Sequence, residues 1–194
     1  MHTFITGGVV AWNIGDEIRE GRISSFLVKP VSYFGTNLAK DLGRVVSSMV
    51  MYFPLILLLI VIMGFGVNWQ KIPIFIVSAC LALMMNFTIS YIIGVSTFYF
   101  GFVMGLNFTM SNIIWFFSGE LVPLDLLPDF WRNIAIYSPF KYISYFPNQI
   151  VNGRVSLNNV EMDFTIGFAW LLVLLLLAFA TYRRGLKRFE GEGI

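Results

Sequence analysis

An all-α integral membrane protein with about four transmembrane helices, joined by surface and re-entrant helices, is the fold class predicted by the sequence. Three observations predict it. Hydrophobic residues make up 57% of the chain and charged residues 12%, about half the charge of a soluble domain, and mean hydropathy is +0.76. Residues 72–119 contain no Asp, Glu, Lys, Arg or His. A hydrocarbon core about 30 Å thick is crossed by roughly 20 helical residues, so that stretch is long enough for a hairpin of two crossings. Two further charge-free runs, 45–67 and 164–182, each suffice for one more.

Met1 to Trp12 is apolar, too short to cross, and has no basic region before it, so it does not read as a signal peptide. It reads as the stub of a span. From Asn13 to Arg44 the character changes. Charges of both signs, Asp16, Glu17, Arg19, Glu20 and Arg22, surround Ile14 and Ile18 one helical turn apart. Gly21 stops that turn, and Pro30 ends the short apolar piece through Leu27 and Lys29. Two short helices with a bend between them follow from this pattern. Ser32 is the expected N-cap of the next helix, on which Phe34, Leu38, Leu42 and Val45 recur at helical spacing while Lys40 and Arg44 fall on the other face. Residues 1–44 are thus expected at the membrane surface, feeding the span 45–67, which tolerates Pro54 with a kink.

A short loop with an interfacial Trp69 precedes the hairpin, whose arms are expected at 73–99 and 103–122 with the turn within Tyr99 to Gly105. In the first arm Asn86, Ser90, Gly94, Thr97 and Gly101 share one helical face, and in the second Asn107, Ser111 and Ser118 share another. Small and weakly polar residues in such a stripe serve close helix packing or the wall of a transport path, and both readings stand. Cys80, the only cysteine, excludes an intrachain disulfide and reads as a small buried hydrophobe.

After Gly119 and Glu120 come four prolines, Pro123, Pro128, Pro139 and Pro147, among seven aromatic residues. Prolines at this density break a spanning helix. Residues 123–163 are therefore expected to form short helices that dip into the headgroup region and return, with Pro128 and Asp129 at a helix start, a turn at Asn152-Gly153 and a polar loop over 154–163. The last span, 164–182, leads into the tail 183–194 with its four cations. Five basic residues lie in 1–44 and four in the tail. An even number of spans puts both ends on one side, and the positive-inside bias makes it the cytoplasm.

Chemistry is mostly excluded. No phosphate-binding glycine loop followed by Lys and Ser or Thr is present, so ATP hydrolysis belongs elsewhere. One His and one Cys cannot supply an ordinary zinc or haem site, and no cofactor is expected. Asp16, Glu17 and Glu20 read as a solvated helical face in preference to a catalytic cluster. The spans lack the buried ionisable group of a proton- or sodium-driven carrier. Net charge is +2, which does not point to nucleic acid.

The order of Asp16-Glu17-Ile18-Arg19-Glu20-Gly21-Arg22-Ile23, Leu27-Val28-Lys29-Pro30-Val31-Ser32-Tyr33, Phe117-Ser118-Gly119-Glu120-Leu121-Val122-Pro123-Leu124 and Leu127-Pro128, then Pro139-Phe140 and Pro147, resembles the type-2 permeases of ATP-binding-cassette (ABC) exporters, particularly their bacterial members. The resemblance covers essentially the whole chain. It implies a multi-pass subunit of the bacterial cytoplasmic membrane that pairs with a second permease subunit and with a separate ABC ATPase. By the same resemblance, Asp16 to Pro30 corresponds to the coupling helix that meets the ATPase, and Pro123 to Pro147 to the external re-entrant helices. Members usually have six spans and this chain starts at the end of their second, which implies a truncated or split permease, or a partner chain that supplies the rest. A membrane-embedded lipid-modifying enzyme using Glu120, Asp125, Asp129 and Arg132, and a non-transporting assembly or sensor protein, are the alternatives.

Overall fold

The computed structural model describes residues 7–27, 30–63, 71–153 and 157–191, and among these there is no strand. Nine α-helices follow in order: α1 (Gly7–Arg19), α2 (Ser24–Leu27), α3 (Tyr33–Met63), α4 (Ile72–Val95), α5 (Thr97–Phe100), α6 (Met104–Phe117), α7 (Asp129–Tyr137), α8 (Tyr145–Val151) and α9 (Leu157–Gly191). Two 3-10 turns, Leu124–Leu126 and Pro139–Tyr142, flank α7.

α4 is the central element. It carries α1 along one side and α9 along the other, with α8 and the second 3-10 turn also packed on it. Its outward side, with Phe75, Ile76 and Val77 exposed, is as apolar as the side that carries Leu81 and Met85, as suits a helix with lipid on one side and protein on the other. Leu81, Met85, Ile89 and Ile93 join Tyr142, Phe146 and Leu174 in one core. Phe87, Tyr91 and Val95 join Ile14, Ile18, Ile23, Tyr33 and Ala178 in another. Among the described residues, two stretches are long and apolar enough to cross a membrane, Ile72–Phe100 and Val160–Phe189.

Several expected boundaries shift. The surface segment and the span 45–67 form one helix, α3, running from Tyr33 to Met63 with Pro54 inside it; 64–70, with Trp69, lie outside the described residues. The hairpin turns where expected, at Gly101 with φ of +68°, but α6 ends at Phe117, short of residue 122. The chain leaves the helix there through Gly119 at φ +77°. Fourteen residues give α6 a length of about 21 Å. The polar loop expected over 154–163 is helical from Leu157 onward; 154–156 lie outside the described residues. No helix breaker stands between Leu157 and Asp163, and Val160 is buried against the fold. The tail is likewise a continuation of α9 as far as Gly191.

Cys80 corrects its reading. It is exposed, because Ser78, Leu81, Ala82 and Met85 define the buried side of α4 and Cys80 falls opposite them at 100° per residue.

Candidate functional site

The charged segment before α3 folds into an elbow. α1 ends at Arg19, and Gly21 takes φ of +70°, a conformation that other residues enter at a cost. The Gly21 N–H donates to the Ile18 carbonyl and the Ile23 N–H to the Glu17 carbonyl, both at 3.1 Å, so the last carbonyls of α1 are satisfied much as in a glycine-terminated helix. α2 then reverses the chain. Ser32 caps α3 as expected, its Oγ accepting the Gly35 N–H at 3.2 Å.

Four of the elbow's charges point outward and pair locally: Asp16 with Arg19 at 3.1 Å and Glu20 with Arg22 at 2.6 Å. Glu17 does the opposite. It is 8% exposed, and its carboxylate accepts from the Tyr33 hydroxyl at 2.8 Å and from Lys40 Nζ at 2.9 Å. Burial, and then the neighbouring Glu17 carboxylate, push the Tyr33 phenol well above its ordinary range, which keeps it protonated and donating. Glu17 thus belongs to the inner side of the elbow and not to a solvated carboxylate face. Ile18 is buried beneath it. Lys29 lies outside the described residues, and Pro30 is exposed.

Tyr33 extends the elbow into the bundle. Its ring lies edge-on to Phe26 of α2, stacks on Tyr182 of α9 at 5.7 Å and tilts against Tyr91 of α4. Phe34 beside it contacts Phe87, Tyr91 and Phe179. Sequence reasoning met Tyr33 only as the last residue of a motif, gave it no role, and assigned Lys40 only to an outer face. The available signal was their spacing, since residues seven apart lie within about 20° of one another on a helix.

The small polar stripe divides between two settings. Gly94 lies directly under α1, where an added Cβ would come within 2.7 Å of Ile14 Cβ and 3.1 Å of the Ala11 carbonyl. Thr97 is buried beside Gly15. Asn86 and Ser90 instead face Asn107 and Ser111 of α6 across a cavity of about 20 Å³, room for a single water. Asn107 Nδ2 donates to the Gly8 carbonyl at 3.2 Å and closes that cavity toward α1. On its other side Asn107 reaches a wide groove between α1 and α6, about 760 Å³, whose walls include Trp12, Phe102, Phe108 and Trp115 and whose polar residues are Asn107 and Ser111. Ser118 lines neither space; it is fully buried with its hydroxyl unpartnered. Gly101 stands exposed at the turn.

The proline-rich segment forms a separate cap. Gly119 turns the chain against Leu124 and Tyr145, and the Tyr145 hydroxyl donates to Asp125 at 2.8 Å. Pro123 and Pro128 immediately precede the first 3-10 turn and α7, Pro139 opens the second turn, and Pro147 is buried in α8. Lys141 is held by Asp163 of α9 at 2.9 Å. One Glu120 carboxylate oxygen is buried without a partner. Among the described residues no three His, Cys, Asp or Glu side chains gather as a metal site would need.

The description "ABC-2 family transporter protein" applies to a family model that matches residues 1–193. The chain belongs to the ABC-2 transporter family. No curated protein and no solved structure gives a significant match. With the apolar helices α4 and α9, membership makes this ABC-2 protein a membrane permease component of ABC-type transport.

Proposed function

We propose that this ABC-2 protein is the permease subunit of an exporter in the bacterial cytoplasmic membrane, driven by a separate ABC ATPase and completed by a second permease subunit. The observation that carries the reading is the elbow. It presents Asp16, Arg19, Glu20 and Arg22 on the outside, where a protein surface can engage them, while Glu17 ties its inside to α3. A push on the elbow is then delivered through Tyr33 to α4 and α9 as well. In this reading the elbow and the C-terminal end of α9 lie on the cytoplasmic side, and the cap formed by residues 123–153 lies outside.

Asn107 and Ser111, in a groove otherwise walled by aromatic and aliphatic side chains, support a path for an amphipathic solute, with the polar pair as the part that meets its head. Gly94 and Thr97 support the packing role of the same stripe, since they are covered by α1. Asp129 pairs with Arg132 and Asp125 with Tyr145, which speaks against a lipid-modifying site built on those side chains.

The test is a pull-down of the detergent-solubilised chain from its native host, with mass spectrometry and an ATPase assay of what accompanies it. The expected result is an ABC ATPase that is released by Arg19→Glu with Arg22→Glu, two exposed changes that leave the Glu17 contacts in place. A chain that emerges alone, or with unrelated proteins, overturns the reading.

A further inference from the structure

α9 is one rigid rod with two different sides. It runs unbroken for 35 residues. Gly167, Leu174, Ala178 and Gly185 lie within about 40° of one another on it and all are buried. A Cβ on Gly185 would come within 2.5 Å of Phe98, the Phe189 ring lies edge-on to the same Phe98 at 5.8 Å, and the Thr181 carbonyl accepts from the Tyr99 hydroxyl. The rod is therefore fixed in rotation at its C-terminal end.

The other side of α9 faces away from the protein. Leu172, Val173, Leu176 and Leu177 are all exposed there, as acyl-chain contacts of a membrane helix are. Eleven residues is close to three full helical turns, so Arg183 and Arg184 continue the lines of Leu172 and Val173, and Lys187 and Arg188 follow one turn on. All four cations are exposed. The side that is apolar along the span thus becomes basic without change of direction. Arg183 to Arg188 covers about 7 Å of rise, and the headgroup layer of one leaflet is roughly 5–7 Å deep.

We propose that this face of α9 is a binding stripe for the phosphate headgroups of anionic phospholipids in the leaflet where the helix ends. The apolar line anchors the acyl chains, and the guanidinium and ammonium groups meet the phosphates, with their stems lying along the helix. This stands on membrane insertion and on α9 alone, and not on the exporter reading.

The test reconstitutes the full chain in phosphatidylcholine vesicles and measures, by electron spin resonance, the motionally restricted fraction of spin-labelled phosphatidylglycerol and of spin-labelled phosphatidylcholine. The native chain is expected to select the anionic lipid by about fivefold, the factor equal to the roughly 1 kcal/mol ascribed to one basic residue at a membrane surface. Changing Arg183, Arg184, Lys187 and Arg188 together to Gln is expected to remove most of that selectivity, with helicity by circular dichroism unchanged. Changing the three arginines to Lys is expected to retain it. Equal restriction of both lipids by the native chain overturns the stripe. So does selectivity that the Gln changes leave undiminished.

Discussion

The Tyr33 hydroxyl donates a 2.8 Å hydrogen bond to Glu17 Oε2, joining the end of α1 to the first residue of α3. Lys40 reaches the other carboxylate oxygen. Glu17→Ala removes the shared acceptor and is expected to cost about 2–4 kcal/mol, the range for orphaning buried partners of a charge. Tyr33→Phe keeps the ring contacts and should cost about 1.5–3 kcal/mol. Lys40 is 47% exposed at its side chain, so Lys40→Met should cost no more than about 1 kcal/mol. Thermal unfolding of the detergent-solubilised variants should rank them in that order, and equal losses for Glu17→Ala and Lys40→Met would count against the clamp.

The approach of α1 to α4 depends on Gly94. An added methyl group would overlap Ile14, and Gly94→Ala is expected to destabilise by about 1–3 kcal/mol through overpacking. Ile14→Ala, which removes the Cγ2 that would lie 2.8 Å from the new methyl group, should relieve part of that in the double variant, giving a non-additive cycle. Strict additivity in the unfolding midpoints would mean that the two residues do not meet.

The ion pair of Lys141 with Asp163 pins the cap to α9. Lys141 is 9% exposed, and Asp163→Leu strands its ammonium group, with an expected cost of about 2–4 kcal/mol. Cleavage by added protease between α7 and α8 should rise in that variant, and a variant with the charges exchanged between the two positions should recover part of the protection. Unchanged proteolysis would show that the cap is held by other contacts.

Cys80 faces outward from α4. In vesicles, an apolar maleimide should label the folded chain at this position, and a charged maleimide should not. Labelling only after denaturation would put the thiol inside the fold.

Much of this architecture was legible because apolar run length and punctuation report it directly. The charge-free stretch over 72–119 places α4 and its turn, Gly21 and Ser32 mark the elbow and the start of α3, and the prolines mark the short cap helices. The illegible parts were those decided by partners distant in sequence. Glu17 reads as one more charge in a mixed-charge helix until Tyr33, sixteen residues on, closes over it. Asp163 reads as loop until Lys141 gives it a reason to lie on a helix. The stripe on α4 has one spacing but two neighbours, α1 above Gly94 and α6 across from Asn86, and periodicity cannot tell which helix arrives.

α3 is packed into the bundle at its start through the rings of Tyr33 and Phe34, and further along it, among the described side chains, Val46, Val50, Phe53, Leu58 and Ile62 are exposed. Thirty-one residues make it a beam about 45 Å long, so that a tilt of about 5° at Tyr33 swings its far end by about 4 Å. In the proposed coupling, a displacement at the elbow smaller than a hydrogen-bond length would be geared up to roughly the width of a methyl group at the far end of α3.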